Sequence, residues 1–465
     1  MKDIFKALIL LALPFCMIDH SFAAKEWNIL AIVPDDHSRR AMGVYGDSQA
    51  VTPNFDKLAR EGVRFTNAYA AAPVCSPSRA AFFSGKYPSQ VGVTDFLMLN
   101  EKYADRGLDT SAILWPQVLK NHGYKTGLIG KWHLGEAEKR HPTNRGFDYF
   151  VGYDQDSKPF DPVLDVNGTV GEVEGHTSNI FVAHAKEFLA ENKSNKFALT
   201  VTFREPQRPW DAVPQVDLDA VAHIDPIVPI SEGVDTEWVK KMTRNNYAAI
   251  HALDRGVGEI LSELDRLGLT DNTIVIYVGD HGMLIGHHGY FGRGAVGVIA
   301  GDEVVGSENI PNLFDEAIKI PMIVRWPNET DKDMVVDVPV SNTDIFPTIL
   351  NMLDIAVPEN VSPEGKDLTE VLKGSELSSS QPIFAQYNME NFGIAHLRMV
   401  RLENWKLIKR FKLGADAELV DELYNVEDDA GEQNNLIADP EYQAIRSELE
   451  KMLHEWQVKI NDPVL

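Results

Sequence analysis

The chain has 465 residues and a formal net charge of −25, which argues against nucleic acid or an anionic membrane surface as partner. With 44% hydrophobic and 9% aromatic residues it can bury a sizeable core, and its length suits one large domain with a smaller companion. An anionic substrate would have to be drawn in by a local cluster of cations or by a metal.

Residues 1–23 open the chain with Lys2, an apolar run from Ile4 to Ile18, and Ser21 and Ala23 at the −3 and −1 positions of a cleavage after Ala23. That is the pattern of a secretory signal peptide. The run is shorter than the roughly 20 apolar residues of a membrane span, and Pro14-Phe15 before Cys16 suits a lipoprotein anchor poorly. The mature protein is therefore expected to be exported, periplasmic or extracellular, with no membrane segment left. Of two cysteines only Cys75 would survive cleavage, so no intramolecular disulfide can form. A lone thiol in an oxidising compartment is either reactive or buried and inert.

The first strand is expected in "NILAIV" (28–33), ending at Pro34-Asp35-Asp36. A helix is expected next in "PVCSPSRAAFFSG" (73–85), with Ser76 as N-cap, Pro77 at the first helical position and Gly85 at the exit. Cys75 would then lie just ahead of a helix N-terminus, where free N–H groups favour an anion and lower a thiol pKa. "KTGLIG" (125–130) runs into Lys131-Trp132-His133, "KFALTVTF" (196–203) into Arg204-Glu205-Pro206, and "NTIVIYV" (272–278) into Gly279-Asp280-His281. Near-continuous apolar strands of this kind belong to a parallel sheet covered on both faces, with helices at 180–191 and 246–266 between them. The fold class is α/β, and ligands in such sheets sit beyond the carboxyl ends of the strands.

A looser stretch, 358–382, separates a catalytic domain at 24–365 from a smaller α+β subdomain at 366–465. The latter has short antiparallel strands, beginning with "PIFAQYN" and "RMVRLENWKLIKRF", and a terminal helix within 439–460. Tyr442, Ile445, Leu449, Met452, Leu453 and Trp456 fall on one face of that helix and read as core. Loops 92–110, 153–176, 204–232 and 291–310 look irregular and are the expected seat of specificity.

Asp35, Asp36 and Asp280 offer carboxylate oxygens suited to a hard cation such as Ca²⁺ or Mg²⁺. Cys75-Ser76-Pro77-Ser78-Arg79 resembles the C-x-P-x-R signature of the type I sulfatases. "TPNFDKLAREGVRFTNAYA" (52–70), "GYKTGLIGKWHLG" (123–135), "NTIVIYVGDHG" (272–282) and "DELYNVEDDAGEQNNL" (421–436) are similar to further blocks of that family.

The resemblance implies an alkaline-phosphatase-like fold, a large mostly parallel sheet between helices. It also implies that a maturation enzyme oxidises Cys75 to formylglycine, whose hydrate is the nucleophile. His281 and the Cys75-derived hydrate would complete the metal set, with Ca²⁺ the usual occupant and Mg²⁺ less so. Arg79, Lys131 and a residue of 288–293 would hold the sulfate charge, and His133 would take a hydroxyl proton.

Two positions depart from the family pattern. Gln207 stands where a histidine that contacts the sulfate or leaving group is common, which leaves the acid to a group such as His133, His287 or His288, or the reaction to a good leaving group. Arg293 stands for a lysine and keeps the charge in a different shape. The implied substrate is a sulfated carbohydrate. A phosphonate or phosphate ester hydrolase of the same superfamily is the alternative, and so is a decayed exported binding protein, against which Cys75, Arg79 and Lys131 count.

Overall fold

A computed structural model describes residues 26–98, 105–375, 381–412 and 420–465. The expected leader, 1–23, lies outside these residues. At the centre are five parallel strands, in spatial order Thr273–Val278, Asn28–Ile32, Phe197–Thr202, Lys125–Lys131 and Tyr149–Tyr153. Their side chains alternate between two cores, so every position of Asn28–Ile32 is buried. Ile29 and Ala31 pack with Phe82, Phe83, Trp115 and Phe346, from helices Cys75–Ser84, Trp115–Asn121 and Ile345–Met352. Leu30 and Ile32 pack with Phe55, Phe181 and Leu253, from helices Pro53–Arg60, Thr177–Asn192 and Thr236–Arg266. Burying each large apolar side chain is worth about 1.5–3 kcal/mol, which explains why these strands carry no polar alternation.

The sheet is mostly parallel, with antiparallel additions at both ends. Lys319–Arg325 lies antiparallel between Thr273–Val278 and Val63–Tyr69, and a hairpin of Val163–Val166 and Thr169–Glu172 extends the other edge. The helix expected at 246–266 starts at Thr236, capped by the Asp235 carboxylate, which accepts from the amides of Glu237 and Trp238. Its first turns are polar, with Val239 their buried residue, so apolar spacing could not reveal them.

Segment 291–310 is not irregular. Leu284–Ile285, Tyr290–Gly292, Ala295–Ala300 and Glu303–Pro311 form a four-stranded antiparallel sheet. Its glycines depress strand propensity, and pairing with neighbours supplies what composition does not.

The C-terminal sheet is Ile383–Met389, Ala395–Leu402, Trp405–Lys412 and Glu422–Asn425, covered by helix Gln443–Lys459. Leu449, Leu453 and Trp456 are buried there, while Tyr442, Ile445 and Met452 pack at the margin. Among the described residues no helix is long and apolar enough to cross a membrane.

Candidate active site

Four elements bring their charged or sulfur-bearing residues to one place. Beyond Asn28–Ile32 the chain delivers Asp35 and Asp36, the latter at φ 65°, a left-handed conformation that aspartate tolerates. Beyond Thr273–Val278 come Asp280 and His281, and the two ends are tied by the Asp36 amide donating to Asp280 Oδ1 at 3.0 Å. Lys131 ends its own strand after Gly130, whose φ is 113° and where a Cβ would lie 2.0 Å from the Thr202 carbonyl oxygen. Only glycine allows that approach.

Helix Cys75–Ser84 supplies the fourth contribution. It begins at Cys75 itself, two residues earlier than expected. Val74 is its extended N-cap residue, and the Val74 carbonyl accepts the first helical bond, from the Ser78 amide at 3.2 Å. The Ser76 hydroxyl does not cap the helix and instead accepts from the Leu97 amide at 3.1 Å. Gly85 exits the helix at φ 67°, as expected. All ten helix residues are buried.

The Cys75 sulfur is surrounded. It lies 3.3 Å from Asp35 Oδ1, 3.3 Å from His281 Nε2 and 3.1 Å from Arg293 Nη1. Asp35, Asp36, Cys75 and His281 each offer one ligand atom, all within 4.8 Å of one another and all buried. Asp36 Oδ2 is buried without a hydrogen-bond partner among the described residues. Two carboxylates with an unpartnered oxygen fit a hard divalent cation, whereas a thiol sulfur is a poor ligand for one and an oxygen in its place would suit it. Asp280, expected in the same set, is held differently. Its Oδ1 accepts from the Asp36 and His281 amides and its Oδ2 from Arg79.

The charges are fixed by burial and pairing. Burial opposes ionisation of Asp35, but Lys131, Arg79 and Arg293 outweigh it and hold its carboxyl well below the usual range. Lys131 Nζ sits 2.6 Å from Asp35 Oδ2, both side chains fully buried. Arg79 spends its donors on Asp280 Oδ2 at 3.0 and 3.1 Å and on the Lys131 carbonyl at 2.8 Å. It therefore orients the acidic and cationic ends rather than presenting a free guanidinium. Burial would lower the His281 pKa, yet Asp280, the Cys75 thiol and Asp36 raise it to about 10. Burial opposes the Asp280 charge too, and its pKa is raised.

Arg293, which also reaches Asp36 Oδ1 at 3.1 Å, is at the centre of the cluster. His133 is fully buried, with its pKa pushed well down by burial and then by Lys131. Both causes disfavour the charged imidazolium. His287 is likewise lowered by burial, to about 4, and contacts Arg40. His288 stacks on Phe314 with centroids 4.0 Å apart and meets Gln433. Gln207 is buried, with its Oε1 unpartnered among the described residues.

A family model described as Sulfatase matches residues 27–355. The chain belongs to the sulfatase family. It is accordingly a sulfuric ester hydrolase. A second model, N-sulphoglucosamine sulphohydrolase C-terminal, matches residues 311–459 of this sulfatase. The ulvan-active sulfatase of Formosa agariphila is 27% identical, over 94% of this chain and 82% of its own. The steryl-sulfatase of Rattus norvegicus is 28% identical, over 81% of this chain and 76% of its own. In structure, BT4656 in complex with its substrate D-glucosamine-2-N,6-O-disulfate matches with a TM-score of 0.80 at 22% identity, covering 94% of this chain and 99% of the other.

Sequence reading missed two residues of the sulfatase site. Asn342 accepts from the Ala71 amide and donates to Ser78 Oγ at 2.8 Å, pinning the Cys75 helix. Phe96 packs edge-to-face on His133 and lies under Arg293. Neither stands in a motif. Both reach the site from elsewhere in the chain, so no local signal marks them.

Proposed function

We propose that this sulfatase is exported and removes sulfate from a carbohydrate, using a formylglycine hydrate made from Cys75 and a bound Ca²⁺. The observation that carries this reading is the Cys75 sulfur at 3.1–3.3 Å from Asp35, His281 and Arg293. An inert core cysteine would not be ringed by charge. Asp35, Asp36, His281 and the Cys75-derived oxygen would hold the cation, with Asp280 orienting Asp36 and His281 through their amides.

When present, the hydrate supplies the nucleophilic oxygen and the cation neutralises charge around it. Lys131 and Arg293 are the cations placed to hold sulfate oxygens, and neutral His133 accepts the hydroxyl proton. Gln207 binds the ester without donating a proton of its own. The carbohydrate assignment draws on what the ulvan-active relative acts on and on the sugar disulfate bound by BT4656. The export assignment draws on residues 1–23.

The test is threefold. Protein produced with a maturation system should show the aldehyde mass on the Cys75 peptide and a mature N-terminus at Ala24. It should turn over sulfated oligosaccharides faster than steryl sulfate, aryl phosphate or phosphonate. Cys75→Ala should lose turnover while keeping its unfolding transition, and chelation should remove activity and lower Tm together, restored by Ca²⁺. An unmodified, fully active Cys75 enzyme would overturn the mechanism.

A further inference from the structure

Outside every motif, Phe96 packs on His133, and Asp95 and Asn391 in turn hold the Phe96 backbone. The His133 backbone is left-handed, at φ 57°, a conformation that few non-glycine residues adopt and that sets the ring's direction. The ring is held twice by one short segment. Its Nε2 lies 2.9 Å from the Leu97 carbonyl, which can only accept, so Nε2 carries the hydrogen. It also meets Phe96 edge-to-face, with centroids 4.7 Å apart and planes at 83°. The other nitrogen, Nδ1, is buried without a hydrogen-bond partner among the described residues.

The segment is itself anchored. Asp95 accepts from the Phe96 amide at 2.7 Å and from the amides of Glu390 and Asn391 at 2.8 and 2.9 Å. The Asn391 side chain donates to the Phe96 carbonyl at 2.6 Å, and the Leu97 amide donates to Ser76 beside Cys75. The same Phe96 ring lies 5.7 Å from the guanidinium carbon of Arg293, which touches the Cys75 sulfur.

We infer that Phe96, clasped by Asp95 and by Asn391 at the end of strand Ile383–Met389, is a positioning residue that presents His133 as its Nε2–H tautomer, with Nδ1 as the free base. The inference rests on the proposed role of His133 as proton acceptor. A base needs a lone pair aimed at the proton, and a ring free to flip or change tautomer would often offer N–H instead. The clasp removes that choice, and its Asn391 half comes from the loop between strands Ile383–Met389 and Ala395–Leu402 of the C-terminal sheet. Arg293 is steadied by the same ring through a cation–π contact.

The experiment uses the full chain grown with ring-¹⁵N histidine, with the His133 signals identified by their loss in His133→Ala. Long-range ¹H–¹⁵N spectra report the tautomer without any turnover. The expected wild-type pattern is a protonated Nε2 and a bare Nδ1. Phe96→Leu should mix the tautomers and lower kcat by about tenfold or more with little change in KM, part of the about 10²–10⁴-fold that a positioned base is worth. Phe96→Tyr, which keeps the ring, should restore both. Asn391→Ala, which removes only one clasp bond, should give an intermediate spectrum if Phe96→Leu fails to fold. A wild-type spectrum with Nδ1–H would overturn the inference, and so would Phe96→Leu with unchanged tautomer and kcat. Loss of the proposed function alone would appear differently, as a wild-type chain with the expected spectrum and no sulfate ester turnover.

Discussion

Lys131 and Asp35 show what a residue pair contributes here. Both are fully buried at 2.6 Å, so removing one partner strands the other charge away from water. In chelator-treated protein, Lys131→Ala should lower the unfolding free energy by about 3–5 kcal/mol in urea titrations. Adding Asp35→Ala should recover part of that loss, because the stranded charge goes with it. Gln207 makes the opposite case. Its amide cannot deliver a proton, so Gln207→Ala should change turnover only modestly, mainly through KM, and leave the ratio of sugar-sulfate to aryl-sulfate rates unchanged. A collapse of that ratio would mean that proton delivery runs through Gln207, for instance by a water it positions.

At the scale of elements, the site depends on strands that can close on one another at their carboxyl ends. Gly130 and Gly152 are stacked side by side in adjacent strands: a Cβ on Gly152 would lie 1.9 Å from the Gly130 carbonyl oxygen. Gly130→Ala would add backbone strain at φ 113° to a clash with strand Phe197–Thr202. It should cost at least about 2 kcal/mol, read as a lowered Tm, and should displace Lys131 enough to depress activity in the fraction that folds. The same logic explains why "KTGLIGK" reads so clearly as a strand. Its apolar residues name the element, and its second glycine names the crowded end.

Across the whole molecule, the C-terminal sheet is joined to the catalytic part by buried charge. Lys406 Nζ lies 2.8 Å from Asp315 Oδ1 and 2.6 Å from Glu432 Oε1, and Glu432 Oε2 accepts from the Asp315 amide. Burial pushes the Glu432 carboxyl up to about 8 although Lys406 pulls it down. Between the ordinary carboxylate range and about pH 8 the folded chain therefore holds a proton that the unfolded chain releases. Stability from this group is fully present at the acid end and is lost as pH rises towards 8. Glu432→Gln should remove that loss. The variant's Tm relative to wild type should rise from about pH 5 to about pH 8 and level off above, measured by calorimetry.

By itself the sequence determined the parallel sheet, the strand ends that carry Asp35, Asp36, Lys131, Asp280 and His281, and the helix with Cys75 and Arg79. Apolar runs and motif spacing are local, and each of these residues lies within a few positions of the element that places it. The structure alone decided the rest. It set Arg79 as the brace between Asp280 and Lys131, and it put His287 against Arg40 and His288 on Phe314. It also paired the glycine-rich 291–310 segment into strands, brought Phe96 and Asn342 to the site, and set Asn391 against Phe96. Those outcomes depend on contacts between residues far apart in the chain, 52 positions for Arg79 with Lys131 and 295 for Asn391 with Phe96. Which buried donors meet which acceptors is settled only when both cores have closed around the sheet, because a buried polar group must find its partner wherever the fold supplies one.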